Sequence, residues 1–290
     1  MIRLAPQQLN DNENRILAEL QHQINNKITF TEKVQKAHAL WKSKESSQQK
    51  KAGFRVITDT LHSMCVSEGI CNYCEQNEAA DIEHIFPKSY FPEFTFEWEN
   101  YILACKQCNT GHKLDKAFVL DNNDELVELQ RQSAPSHNRI AFINIRTEDP
   151  DQFMILNPKT YEFSLLPGLS RQDTNKATST LEILELNTRD TLIAARKSAA
   201  RHYYETMDRL VKILQAKSID ALKDLLTPYD ERFDLTRPLE EIQNNIKEDT
   251  KRYISRCQHP SVWRTIKIVE YRTVPKWTGL FNEIPEALNW

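Results

Sequence analysis

The chain has 290 residues, 40% of them hydrophobic and 27% charged, with a formal net charge of -3. That composition suits a soluble globular protein, and it excludes both a disordered tail and a polycation that would grip nucleic acid over its whole surface. The length is about twice a common domain of roughly 100–150 residues, so two structural units, or one core with additions, are expected. Glycine is scarce and widely spaced, at Gly53, Gly69, Gly111, Gly168 and Gly279. This excludes a G-x-G-x-x-G dinucleotide turn, a G-x-x-x-x-G-K phosphate loop and a G-x-S-x-G nucleophile elbow. No apolar run approaches the roughly 18 residues that a membrane span needs, and the opening residues lack the pattern of a secretion signal. A membrane partner is therefore not expected.

Residues 1–66 read as a helical N-terminal region. Asp11 or Asn12 can cap a helix that carries Ile16, Leu17, Leu20 and Ile24 on one face. Thr31 can cap a second, with Val34, Ala37, Leu40 and Trp41. The polar stretch 43–49 predicts a break, and 52–66 a third helix with Phe54, Ile57, Leu61 and Met64 inward. Residues 67–120 form the chemical module described below, and 121–290 a mixed, then helical, C-terminal region. Within it, 118–127 and 139–146 predict strands, and 153–158 with 161–166 predict a hairpin. Helices resume from Thr174. Asn187 and Thr188 are read as the cap of a long helix through Lys217, on which Tyr203, Met207, Leu210 and Leu214 form a core stripe. Two further helices are expected at 239–257 and 260–271, with Pro260 in a first turn.

Four of the six cysteines form two C-x-x-C pairs, Cys71/Cys74 and Cys105/Cys108, with 30 residues between the pairs. A chain this long needs no disulfide staples, so a reducing compartment, the cytoplasm, is expected. There, paired C-x-x-C turns predict a closed four-cysteine structural zinc site. Cys65 and Cys257 lack such spacing and read as small buried residues.

Between the pairs the chain reads Asp81-Ile82-Glu83-His84-Ile85-Phe86-Pro87-Lys88, then Trp98-Glu99-Asn100-Tyr101-Ile102-Leu103-Ala104-Cys105-Lys106-Gln107-Cys108-Asn109, and on to His112-Lys113. An acid beside a histidine, followed by two asparagines inside a cysteine frame, resembles an HNH endonuclease of the ββα-metal type. The fuller pattern C-x-Y-C-E, D-I-E-H-I-x-P-K-S and W-E-N-Y-I-L-A-C-x-x-C-N-x-x-x-K is similar to the HNH nuclease subunit of Septu-type antiphage systems, also found with some retrons. A weaker likeness extends through Leu156-Asn157-Pro158 and Leu184-Glu185-Leu186-Asn187 to about residue 217.

The residues themselves suit phosphodiester hydrolysis. His84 can take a proton from water, because imidazole titrates near neutrality. Glu83 is its neighbour on the strand and should face the opposite side, so a local twist or bulge is expected to bring both into one site. The resemblance implies that Glu83 and Asn109 hold one Mg2+ or Mn2+ through oxygen, that Asn100 braces the loop between two strands and helps to orient His84, and that the partner is a separate ATPase subunit. Asp81, two residues from Glu83 on the same face, is its rival as ligand. His112 departs from the family pattern and either supplements the metal site or is a solvated helix residue. Lys113 is a candidate phosphate contact.

Charge within residues 71–116 is four Lys against eight acids, so nucleic-acid contacts are expected elsewhere. Residues 27–55 carry eight Lys or Arg against two acids, and 189–217 carry seven against three, including Arg196, Lys197 and Arg201. The expected protein is thus a mostly helical α+β chain with an embedded zinc-bound HNH module. Its expected activity is metal-dependent cleavage of nucleic acid in antiphage defence, with DNA as the favoured substrate. RNA such as tRNA is one alternative. A zinc-stabilised binding module without catalysis is the other, disfavoured because binding alone does not require Glu83, His84 and Asn109 together.

Overall fold

A computed structural model describes residues 1–290, the side chain of Tyr229 excepted. The chain divides into two compact units, one of residues 1–155 with 162–192 and one of 156–161 with 193–290. The fold is α+β and mostly helical, its strands short and gathered in three small sheets.

The first unit opens with three helices, α1 (Asp11–Asn25), α2 (Phe30–Lys42) and α3 (Gln48–Met64). Ile16, Leu17, Leu20 and Ile24 are buried on α1, and Phe54, Ile57, Leu61 and Met64 on α3, the faces expected from helical spacing. Gly53 sits where α3 meets α1. A Cβ there would lie 2.5 Å from Ile16 Cδ1, so the absent side chain is what permits the close approach. Two caps differ from expectation. α2 is capped by Thr29 in a reciprocal box with Glu32, rather than by Thr31. α3 begins at Gln48, because the Ser47 hydroxyl accepts from Lys50 N and starts the helix four residues early.

After α3 come β1 (Asp81–His84) and β2 (Tyr101–Ala104), an antiparallel pair with His84 opposite Tyr101 and Glu83 opposite Ile102. A π-helix, Gln107–Lys113, follows directly. β3 (Phe118–Leu120) pairs with β4 (Leu126–Glu128) and β5 (Arg139–Ile140). β6 (Met154–Leu156) and β7 (Phe163–Leu165) form the expected hairpin. α4 (Arg171–Ile183) is capped by Ser170. Asn187 is not the cap of the next helix. Its side chain accepts from Phe163 N and donates to Phe163 O, both at 2.8 Å, and so closes the β7 segment. α5 (Asp190–Gln215) therefore begins three residues later.

In the second unit, Tyr203, Met207, Leu210 and Ile213 of α5 are buried, as are Ile242, Ile246 and Ile254 of α6 (Leu239–Arg256). Gln243 Nε2 donates to the carbonyls of Ile213, Leu214 and Ala216, satisfying groups that the end of α5 would otherwise leave open. Trp263, Trp277 and Phe281 stack in one aromatic cluster. Arg196, a candidate for nucleic-acid backbone contact on charge, is 1% exposed and donates to Tyr161 O at 3.0 Å. It faces the core and cannot serve that role, whereas Lys197 and Arg201 are exposed. No described helix is long and apolar enough to cross a membrane.

Candidate active site

The two C-x-x-C turns meet. The sulfurs of Cys71, Cys74, Cys105 and Cys108 all lie within 4.8 Å of one another, all four residues are buried, and none is in a disulfide. A tetrahedral site with Zn–S bonds of about 2.3 Å has sulfur–sulfur edges of about 3.8 Å, and Cys74 Sγ lies 3.8 Å from Cys105 Sγ. The set fits a soft, four-coordinate metal. The Arg189 guanidinium sits 3.8–3.9 Å from Cys108 Sγ and Asn77 Nδ2 lies 3.8 Å from Cys105 Sγ, so thiolate charge would be partly met from outside the ligand set.

This cluster ties the strand pair to the helix that follows it. Cys105 and Cys108 fix the start of the π-helix beside β1, and its third residue, Asn109, donates to Asp81 Oδ2 at 3.3 Å. That bond turns the amide so that its oxygen is free. The i→i+5 bond from Leu114 N to Asn109 O widens the turn and brings Asn109 and Lys113 toward the same side of β1. A cleft of about 170 Å³ is lined there by Trp41, Glu83, His84, Lys88 and Asn109, among others. Asp81 is not in the lining. Its carboxylate positions Asn109.

Glu83 and His84 share this cleft without a bulge, since the β1–β2 ladder is regular through His84. The reason is topological. Among the described residues β1 pairs with β2 alone, and Lys113 of the π-helix donates to His84 O. Glu83 meets the same ammonium, His84 meets Trp41 of α2, and both side chains line the cleft.

His84 is 4% exposed. Its Nε2 lies 3.0 Å from Thr95 O, an acceptor only, which sets the neutral tautomer with the proton on Nε2. No described group engages Nδ1, which is left as the basic nitrogen. Burial, and then the positive charge of Lys88, hold the imidazole pKa well below its ordinary value, so the ring is neutral at pH 7. Thr95 O also accepts from Tyr101 Oη at 2.7 Å. Gln21 of α1 holds the same loop, donating to Pro92 O and accepting from Phe96 N. The Trp41 ring of α2 meets the His84 ring at 67°, with centroids 4.2 Å apart. None of Thr95, Gln21, Tyr101 and Trp41 carries a sequence signal for this role. They come from elements far apart in the chain.

Asn100 is buried and makes three bonds. It accepts from Phe86 N at 2.7 Å and donates to Phe86 O at 3.1 Å and Phe94 O at 2.8 Å. It closes the 85–100 loop that carries Thr95.

Glu83 is also buried, and burial raises its pKa against the opposing pull of Lys113. Lys113 is 1% exposed. Its ammonium lies 2.5 Å from Glu83 Oε1 and 2.7 Å from His84 O. It is thus unavailable as a phosphate contact, contrary to the expectation from its position near the helix. Glu83 Oε1 is fully enclosed, and the Lys113 ammonium meets its charge. Glu83 and Asn109 line the same cleft and offer oxygen atoms, the ligand type of a hard divalent cation, and the two could hold an ion such as Mg2+. His112 is turned away from this pair, its Nδ1 lying 3.2 Å from Glu185 Oε2.

A family model described as HNH endonuclease matches residues 71–113. These residues form an HNH domain. The match spans the cysteine cluster, both strands and the π-helix, so the HNH domain includes every residue of the cleft except Trp41, Leu114 and Asp115. The chain is also similar to the Septu protein PtuB of Bacillus thuringiensis, 23% identical over 155 residues. That match covers 52% of this chain and 49% of the relative, so the chain spans about half the length of the curated relative it matches. No solved structure gives a significant match.

Proposed function

We propose that this protein is a metal-dependent endonuclease that hydrolyses phosphodiester bonds at the His84 cleft, and that it serves as the nuclease of a Septu-type antiphage system. The observation that carries this reading is the tautomer of His84. With Nε2–H held by Thr95 O and its pKa lowered, Nδ1 is a base that is ready at neutral pH beside two hard-oxygen groups. A merely binding module has no use for a neutral histidine so placed.

In this reading Nδ1 accepts a proton from water as the water oxygen bonds to phosphorus, and the bridging P–O bond breaks, the leaving oxygen taking a proton from solvent to depart as the alcohol. Glu83 and Asn109 would hold Mg2+ or Mn2+, which when bound would supply positive charge for the phosphate and the leaving oxygen. Asp81 orients Asn109, and Asn100, Gln21 and Tyr101 hold the loop that aims His84. The four cysteines bind zinc and support the helix that carries Asn109.

DNA is the substrate we assign. Control by an ATPase subunit is part of the same proposal, supported by the Septu resemblance and by the lack of any glycine-rich nucleotide motif here. The reducing cytoplasm is where four uncrosslinked buried thiols would persist. Purified protein incubated with plasmid DNA and with tRNA in Mg2+, with and without the candidate ATPase, tests this. Cleavage of DNA that disappears in His84→Ala and changes with the ATPase is expected. Cleavage of tRNA alone would transfer the site to RNA, and equal products from wild type and His84→Ala would refute the nuclease reading.

A further inference from the structure

The charges around the cleft do not balance. Two carboxylates belong to its lining, and each already has a cation. Glu83 faces Lys113 at 2.5 Å, and Asp115 faces Arg131 at 2.9 Å while accepting from Ser89 Oγ at 3.0 Å. Lys88 lines the same cleft, half-buried, and no described group gives it a hydrogen bond or an ion pair. Its ammonium lies over the Trp41 ring, 5.9 Å from the centroid, and feels the charges of Glu83 and Asp115 without forming an ion pair with either. The same indole carries a second ammonium, that of Lys44, at 4.8 Å. Lys44 has only a loose contact with Glu45, at 3.7 Å. Trp41 in turn lies against His84. Two cations therefore sit against one indole ring beside the base, and Lys88 has no ion pair with a carboxylate.

We propose that Lys88, supported by Lys44 across the Trp41 ring, is the position in this cleft that binds a backbone phosphate of the nucleic-acid substrate. The proposal rests on the nuclease reading above and gives Lys88, the lysine of the D-I-E-H-I-x-P-K-S stretch, a role in contacting substrate. A half-buried ammonium loses hydration, and a ring face returns only part of it. Burial accordingly depresses the Lys88 pKa, a cost that an incoming anion would offset. A phosphodiester carries one negative charge, and the cleft has one cation left over after its two carboxylates are met. Lysine suits this role as a compact point charge that does not demand bidentate geometry. Ile82, Pro87 and Leu114 form apolar walls, which strengthen the attraction by excluding water. The cation also lies where it can stabilise charge that grows on the phosphate during attack.

The test measures binding without added divalent metal, so that no cleavage intervenes. A fluorescein-labelled DNA oligonucleotide is titrated by anisotropy over a series of salt concentrations with wild type, Lys88→Met, Lys88→Arg and Lys251→Met, Lys251 being exposed and outside both basic stretches. Lys88→Met should bind about 10- to 100-fold more weakly, the size of one charge-assisted contact. Its slope of log K against log salt should be shallower by about 0.7–0.9, one phosphate contact. Lys88→Arg should keep the slope, and Lys251→Met should match wild type. On the unmutated protein, acetylation of Lys88 read by peptide mass spectrometry should slow when the oligonucleotide is added. This second measurement stands even if Lys88→Met fails to fold. Inorganic phosphate alone should give the same protection at higher concentration. A wild type that cuts DNA, with Lys88→Met unchanged in affinity and slope, overturns this proposal alone. So does an acetylation rate that ignores the oligonucleotide. A wild type that neither cuts nor binds any nucleic acid overturns the nuclease reading as well.

Discussion

Asn100 separates bracing from chemistry. Asn100→Ala removes the acceptor of Phe86 N–H and the donor to Phe86 O and Phe94 O. Leaving a largely enclosed N–H without a partner costs about 1–3 kcal/mol, and each of the two lost donor bonds a net of about 0.5–1.5 kcal/mol. Because the loop is only partly buried, water recovers some of this, and a local loss of about 2–4 kcal/mol is expected. Hydrogen exchange should read it directly, with amides of residues 85–100 exchanging roughly 30- to 700-fold faster at about 1.4 kcal/mol per tenfold. Cleavage should fall in step, because the loosened loop carries Thr95 O, which sets the His84 tautomer. Asn100→Asp should be worse than alanine. It keeps an acceptor for Phe86 N–H but places a carboxylate against two carbonyl oxygens. If Asn100→Ala abolished cleavage while exchange in 85–100 stayed at the wild-type rate, Asn100 would have to act on the substrate, and the bracing argument would fail.

Three further outcomes are expected. His84→Ala should lower cleavage by about 10²–10⁴-fold while leaving Mg2+ binding intact; Glu83→Ala should abolish it by weakening that binding, with partial rescue at high Mg2+ or Mn2+, and the reverse pattern in a metal titration would show the roles to be exchanged. The pH profile should have its acid limb below about 6.5, the free imidazole value. His84 gains a proton only below its lowered pKa, so activity rises with pH through that pKa and is level near neutrality; a limb centred above 7 would exclude His84 as the base. Cys74→Ser or Cys105→Ser should release the bound metal and unfold residues 71–116, since a four-cysteine zinc site contributes folding free energy directly; wild-type protein without zinc by elemental analysis would contradict this.

Local chemistry was legible in the chain itself. The C-x-x-C spacing brings four sulfurs to one point, because each pair needs only a tight turn and both turns sit at the ends of a strand pair. Glu83 and His84 stand out by lying between those turns and Asn109 by following the second, with roles that the HNH resemblance implies, and the inward faces of α1 and α3 follow from three- and four-residue apolar spacing. What spacing does not carry is the partner of each polar group. Lys113 and Arg196 read as surface cations, yet both are buried, because a carboxylate or carbonyl from another segment awaits them. Asn187 reads as a cap until β7 is beside it. The tautomer of His84 depends on Thr95 O, that loop depends on Gln21 some 70 positions earlier, and the His84 ring is covered by Trp41 of α2. Backbone geometry is settled within a few residues, so sequence pattern can report it. Hydrogen bonds and ion pairs form between whichever groups packing brings within about 3–4 Å, and only the tertiary structure decides which those are.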